Sequence, residues 1–281
     1  MSLSQQLKVE PISWQSDRRI LKQLKPYLQR GGTMLCGLAL PVAVLCLWYV
    51  ATLKVWLPEQ ILPAPQLVWS STLELWHSAE LQFHFWISAK RILWSVLLGA
   101  SLGLGLGVWF VCSERAKRWA YPSIQLLAQF PMIAWIPLLM IFLGIDEALK
   151  IVAISLAVVS PVLIATFKGI KQVPERLLDV ARVYQFSRLQ TLSQVILPAS
   201  LPALISGLRQ GIMQAWLALV FVELLASSEG IGFLMVWGRQ LMQMDLVFIG
   251  IILIGLTGYA LDSLLARLEA WARFYTTRVR A

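Results

Sequence analysis

The sequence predicts an all-α fold, a polytopic membrane bundle with about six transmembrane helices. Three observations predict it. Of 281 residues, 58% are hydrophobic and only 14% are charged, whereas a water-soluble domain keeps roughly a quarter of its residues charged. The apolar residues gather into long runs that carry no charge. The cations, which give a formal net charge of +9, are spread unevenly between those runs. So small a polar fraction does not cover a globule in water, and lipid is the solvent it implies.

A spanning helix needs roughly 20 apolar residues to cross about 30 Å of hydrocarbon. Residues 1–32 are polar and mixed, without an apolar core, and are expected to form a cytoplasmic arm rather than a cleavable signal peptide. Residues 33–267 are expected to form the transmembrane domain. Its first span is the leucine-rich run 33–53 and its second the uncharged run 92–112. The third, 121–145, is uncharged but holds Pro122, Pro131 and Pro137. The fourth, 151–167, is shorter and carries Ser155, Ser160 and Pro161. The fifth, 197–225, contains Arg209 and Glu223, and the sixth, 246–265, is apolar apart from Asp262. Residues 268–281 form a basic tail.

Lysine and arginine placement orients the chain, because cytoplasmic loops carry the excess. One side holds the six cations of the arm, from Lys8 to Arg30, with Arg115, Lys117 and Arg118. It also holds Lys168, Lys171, Arg176, Arg182 and Arg188, and the tail arginines. The opposite side holds only Lys54, Lys150, Arg239 and the Lys90-Arg91 pair. Both termini are therefore expected in the cytoplasm, with the chain in an inner membrane. This charge reads as topology, not as a nucleic-acid surface. Cys36, Cys46 and Cys112 lie in or beside apolar runs and imply neither a disulfide framework nor a metal site.

Residues 65–90 are too polar to span. Leu73, Trp76, Leu81 and Trp86 alternate with Glu74 and Glu80, which predicts an amphipathic helix on the outer surface. His77 and His84, seven apart, are expected on one face of it, where an interfacial role outweighs half a metal site. In the second span Gly99, Gly103 and Gly107 recur every fourth residue. Small residues at that spacing let two helix backbones approach closely in lipid, so these three are candidates for a helix seam.

The cytoplasmic segment after the fourth span carries the functional reading. Leu177, Leu178, Ala181, Tyr184, Leu189 and Leu192 recur near helical spacing, with Glu175, Asp179, Arg182 and Arg188 between them. Such a helix needs a membrane surface or a partner protein to cover its apolar face. Asp179-Val180-Ala181-Arg182, then Gln185, then Val195-Ile196-Leu197-Pro198 resembles the "EAA" loop of ABC importer permeases. Asp179 stands where that family has Glu, Val180 where it has Ala, and Gln185 where it usually has Gly.

Further stretches resemble the branch of that family importing nitrate, sulfonate, taurine and bicarbonate. They are Ile61 to Pro65, Pro131 to Pro137, Phe142 to Glu147, Ser206 to Arg209, and Glu223 followed by Ser227 to Phe233, with Trp216 to Glu223 and Gly230 to Phe233 most like aliphatic sulfonate permeases. The resemblance implies a type I ABC importer transmembrane fold whose coupling loop is residues 168–196. It assigns docking on the ATPase to Asp179, Val180, Ala181, Arg182, Tyr184, Gln185, Phe186 and Leu189. It implies a second permease copy, two ATPase subunits that bind ATP and Mg, and an extracytoplasmic substrate-binding protein. The chain itself is expected to bind no cofactor, since it has no Gly-x-x-x-x-Gly-Lys-Ser/Thr loop.

Charges inside lipid are costly and need a partner or water. Arg209 and Glu223 are 14 positions apart, about 21 Å along one helix, and so cannot pair with each other. Arg209 is read evenly as the lining of an anion path or as structural, either hydrogen-bonding a neighbouring helix or snorkelling to the cytoplasmic interface. Glu223 would repel an anion, which favours a structural or gating role, and Asp262 is expected to cap or pair locally. Gln210, Gln214 and Trp216 complete the candidate path. A membrane enzyme would need a polar catalytic cluster that the sequence lacks. An ion-coupled secondary transporter would need repeats and mid-membrane carboxylates, which are not evident.

Overall fold

The computed structural model describes residues 39–279, with side chains through Phe274. Residues 1–38, including the N-terminal arm, Cys36 and the start of the first expected span, lie outside the described residues, as does the end of the tail. The chain divides into two compact units, one ending at Pro65 and one beginning at Gln66.

In the first unit, the apolar helix α1 (Ala39–Leu53) leads into a turn in which Val55 adopts a left-handed conformation, φ 53°. Trp48 Nε1 donates to the Pro63 carbonyl at 3.0 Å and ties the following loop back to the helix.

The regular elements among the second unit's described residues are all helical. Helix α2 (Pro65–His77) ends at a left-handed Ala79, φ 63°, and α3 (Glu80–Cys112) then runs unbroken for 33 residues. The stretch 65–90 is therefore not one surface helix: its second half is the N-terminal extension of the second span. His77 and His84 fall on different helices and share no face. Helix α3 is about 50 Å long, more than the hydrocarbon needs, and the charge-free part begins after Arg91.

The third expected span is broken. Helix α4 (Glu114–Leu127), a 3₁₀ turn (Met132–Trp135) and α5 (Ile136–Leu143) form a pair bent by 94°. Pro131 provides the physical reason. It has no N–H to give, and it biases the preceding residue away from helical geometry.

Helix α6 (Glu147–Lys171) keeps going through Pro161 and forms the centre of the bundle. Helix α9 (Leu197–Ala226) packs beside it, followed by the short α10 (Ile231–Gln240) and the long α11 (Met244–Val279). Ile154, Val158 and Val162 of α6 bury against Ala215, Trp216, Ala218 and Leu219 of α9 and Ile231 of α10. A second cluster joins Ile136 and Leu149 to Val222 and Ala226, and a third joins Phe110 to Leu163 and Phe167.

The α3–α6 seam is built on glycines. A Cβ on Gly99 would stand 2.6 Å from the Ser155 carbonyl oxygen, on Gly103 2.9 Å from that of Val159, and on Gly107 3.0 Å from that of Leu163. No side chain fits there, and the backbones touch. Gly105 has nothing within 4 Å.

Outside these seams the helices present leucine, isoleucine, tryptophan and phenylalanine. Among the described residues, four helical segments are long and apolar enough to cross a membrane, or five with the bent pair counted as one span. A surface this apolar requires lipid or further protein around it.

Candidate functional site

Three side-chain groups stand out: a helical segment between α6 and α9, and two ionic clusters held by α9.

Helix α7 (Glu175–Val183) follows Pro174, and Arg182 pairs with Asp179 at 2.9 Å along its surface. Its end is a paired-hydrogen-bond cap. Phe186 N–H donates to the Ala181 carbonyl at 2.9 Å and Gln185 N–H to that of Arg182 at 3.0 Å, with Gln185 left-handed at φ 52°. This is a Schellman cap, which glycine fits best. The single amphipathic helix expected across Leu177 to Leu192 is therefore split at Gln185. After the turn come a one-turn helix α8 (Arg188–Gln190), capped reciprocally by Ser187 and Gln190, and a π-helical stretch (Thr191–Ile196). Pro198 explains the widened turn, since it has no N–H and its ring crowds the carbonyl four residues back.

Ala181 is buried, and Phe186 half-buried, with its ring 6.2 Å from that of Tyr184. Val180, Val183 and Tyr184, three and four apart, form an open apolar face with Leu189 beyond the turn. Val183 is 80% exposed, Tyr184 72% and Leu189 74%. So much apolar surface on so short and polar a segment needs a cover.

The first ionic cluster joins α9 to α11. Arg209 Nη2 pairs with Asp262 at 2.7 Å and Nη1 with Glu269 at 2.8 Å, and Glu269 is also held by Arg273 at 2.6 Å. Arg209 is thereby a cross-helix tie, and Asp262 pairs across helices rather than locally.

The second cluster centres on Arg91. Its Nη1 donates to Glu223 at 2.8 Å and to the Glu229 carbonyl at 2.7 Å. Its Nε and Nη2 form a fork on Glu147 at 2.9 and 2.6 Å, and Lys150 Nζ reaches the same carboxylate at 2.7 Å. Glu223 also accepts from Ser88 at 2.7 Å and from Gly232 N–H at 2.9 Å, at the start of α10. Beside them Ile231 N–H donates to Ser88 and Gly230 N–H to His84 Nδ1. Gly230, φ 108°, lies against the Glu223 carboxylate, where a Cβ has no room. The first amides of α10, which no helix can satisfy internally, are thus taken by side chains of α3 and α9.

Sequence reasoning counted Arg91 and Lys150 only as cations that orient the chain and overlooked Ser88. A usable signal existed: Arg91 directly precedes a charge-free run, and Glu147 and Lys150 are three apart at the head of another.

Of the remaining path candidates, Gln210 and Gln214 lie exposed on one stripe of α9 with Leu217 and Phe221. Trp216 does not share that stripe. It is buried, with its ring against Gly258 of α11.

Residues 88–274 match the family described as binding-protein-dependent transport system inner membrane component. A Bacillus subtilis (strain 168) protein named as an aliphatic sulfonates transport permease is 40% identical over 245 residues, spanning 87% of this chain and 88% of its own. An Escherichia coli (strain K12) protein with the same description is 37% identical, spanning 84% and 90%. The taurine transport system permease protein of that strain is 32% identical, spanning 87% and 91%.

Among solved structures, an amino acid ABC transporter superposes with a TM-score of 0.57 at 14% identity, covering 73% of this chain and 97% of that one. The MetNI methionine ABC transporter, inward facing, gives 0.52 at 16%, covering 65% and 93%. The fold is that of type I ABC importer transmembrane subunits, and the chain belongs to the family of binding-protein-dependent transport system inner membrane components.

Proposed function

We propose that this chain is the permease of an ATP-driven importer of small sulfonates, working by alternating access. The observation that carries the reading is the open apolar face of Val180, Val183, Tyr184 and Leu189 on a segment rooted in two membrane helices. A separate ATPase, binding ATP and Mg, covers that face from the cytoplasm, where the lysine and arginine distribution also puts both termini. Closure of two ATPase subunits then pushes α6 and α9 through α7 and α8. The role given to Asp179, Val180, Ala181, Arg182, Tyr184, Gln185, Phe186 and Leu189 is this docking. Ala181 and the cap at Gln185 set its shape.

The cargo class follows from the relatives named for aliphatic sulfonates and from the taurine permease, since taurine is itself a sulfonate. Nitrate and bicarbonate importers belong to the same branch and are the alternatives to exclude. A second copy of the chain faces the exposed stripe of Gln210 and Gln214, and the path runs between the copies. An extracytoplasmic binding protein delivers the anion.

The test is uptake of labelled ethanesulfonate into proteoliposomes holding the permease, its ATPase and its binding protein. ATP-dependent accumulation is expected, without competition from nitrate or bicarbonate. Uptake driven by an ion gradient without ATP contradicts the proposal.

A further inference from the structure

The Arg91 cluster has an asymmetry that a purely structural tie does not need. Arg91 and Lys150 are both buried, yet the Glu147 carboxylate on which they converge is 56% exposed. Three donors, Arg91 Nε, Arg91 Nη2 and Lys150 Nζ, meet only two acceptor atoms, so Oε1 serves both Nη2 and Nζ. Lys150 has no other hydrogen-bond acceptor among the described residues.

The guanidinium does not depend on Glu147 for its position. Its Nη1 is fixed from behind by Glu223 and the Glu229 carbonyl, so the Nε–Nη2 edge stays in place when Glu147 leaves. Glu147 is the first residue of α6, just after a left-handed Gly144, φ 71°. Rotation of its side chain alone carries the carboxylate into water.

With Glu147 withdrawn, Arg91 and Lys150 bring two positive charges against the one negative charge of Glu223. The remainder is one unbalanced charge on two buried cations, which matches a monoanion. A sulfonate carries one charge at any physiological pH and three oxygens, one for each donor. A carboxylate has only two. Charge-assisted bonds of this kind are the strong ones.

We propose that Arg91 and Lys150 form an oxyanion site at the α6-start end of the bundle, occupied in the resting chain by Glu147, and that the sulfonate group of the cargo displaces that carboxylate. That the arriving anion is a sulfonate rests on the import reading above; the exchangeable site rests on the cluster alone. Glu147 then acts as a built-in competitor. It keeps two buried cations neutralised between transport cycles and yields to an anion presented at high local concentration.

The test is calorimetric titration of ethanesulfonate into the detergent-purified full chain, with acetate as the shape control. Glu147→Gln is expected to bind ethanesulfonate about tenfold more tightly than the unaltered chain, about 1.4 kcal/mol, and to prefer it over acetate. Lys150→Gln is expected to weaken binding by at least about tenfold, and Lys150→Arg to restore most of it. If Lys150→Gln does not fold, the Glu147→Gln arm decides alone. A monodisperse Glu147→Gln chain that binds ethanesulfonate no better than the unaltered one overturns the proposal and leaves the cluster a structural tie. Failure of ATP-driven uptake with these binding shifts intact overturns the import reading and not the site. Normal uptake without the shifts overturns the site and not the reading.

Discussion

Arg91 of α3 and Glu223 of α9 stand 132 positions apart in sequence, and their side chains meet at 2.8 Å with both almost wholly buried. The pair lies three residues before the end of α9 and beside the first residue of α6, so it marks one edge of the apolar slab. Arg209 with Asp262 and Glu269 marks another level, 14 residues or about 21 Å back along α9. Between them α9 carries no charge, and α3, α6 and α11 are likewise free of it over comparable lengths. Each ionic group thus has its partner where the lipid thins out.

Breaking the Arg91–Glu223 pair from one side strands a buried charge. Arg91→Met is expected to cost about 3–5 kcal/mol, seen as a lower melting temperature in detergent. The double variant Arg91→Met/Glu223→Met should recover part of that loss, because neither charge is then left alone, though Gly232 N–H and Ser88 lose their acceptor. Equal loss in single and double variants contradicts the pairing.

At the α9–α11 tie, Arg209→Gln leaves Asp262 without its cation and Glu269 with Arg273 alone. Lower thermal stability is expected, with Arg209→Lys intermediate, since a point charge does not reproduce the guanidinium's reach to two carboxylates. Gln214→Leu, on the exposed stripe, should instead leave the melting temperature unchanged and reduce uptake. Parallel behaviour of the two sites contradicts the division into tie and path.

Close packing makes the seam glycines unequal to their neighbour. Gly99→Ala or Gly103→Ala should lose about 1–3 kcal/mol by forcing α3 away from α6. Gly105→Ala meets open space and should be neutral or stabilising by up to about 1 kcal/mol from helix propensity. Thermal melts of the three variants check the order.

Much of this was legible in the sequence, for a physical reason. Lipid demands long apolar runs, so the spans at α3, α6, α9 and α11 announce themselves, and so does the glycine repeat. The α7 segment was also readable, because an amphipathic period amid polar residues has few explanations. What escaped is non-local. Nothing near Arg91 says that Glu223 will face it, and Asp262 read alone suggests a local cap. The Pro131 break was visible as composition, but its 94° bend was not. Gln185 was recognisable as an odd residue for its place, yet only the backbone shows it left-handed at φ 52°.

That left-handed glutamine gives a direct prediction. A non-glycine residue in this conformation costs roughly 1–2 kcal/mol, so Gln185→Gly should tighten the α7 cap by about that amount. Slower amide exchange at Gln185 and Phe186, whose N–H groups close the cap, is the readout. Gln185→Val should have the opposite effect.

The central claim is that α7 meets a separate motor protein. A photo-crosslinking amino acid at Tyr184, activated in intact membranes of cells expressing the whole transporter, tests it most directly. A covalent adduct with the nucleotide-binding subunit is expected, and it should be lost when Ala181→Trp disrupts the segment while membrane insertion persists. Adducts with lipid alone, or labelling of Tyr184→Cys by an impermeant reagent from outside the cell, contradict the account.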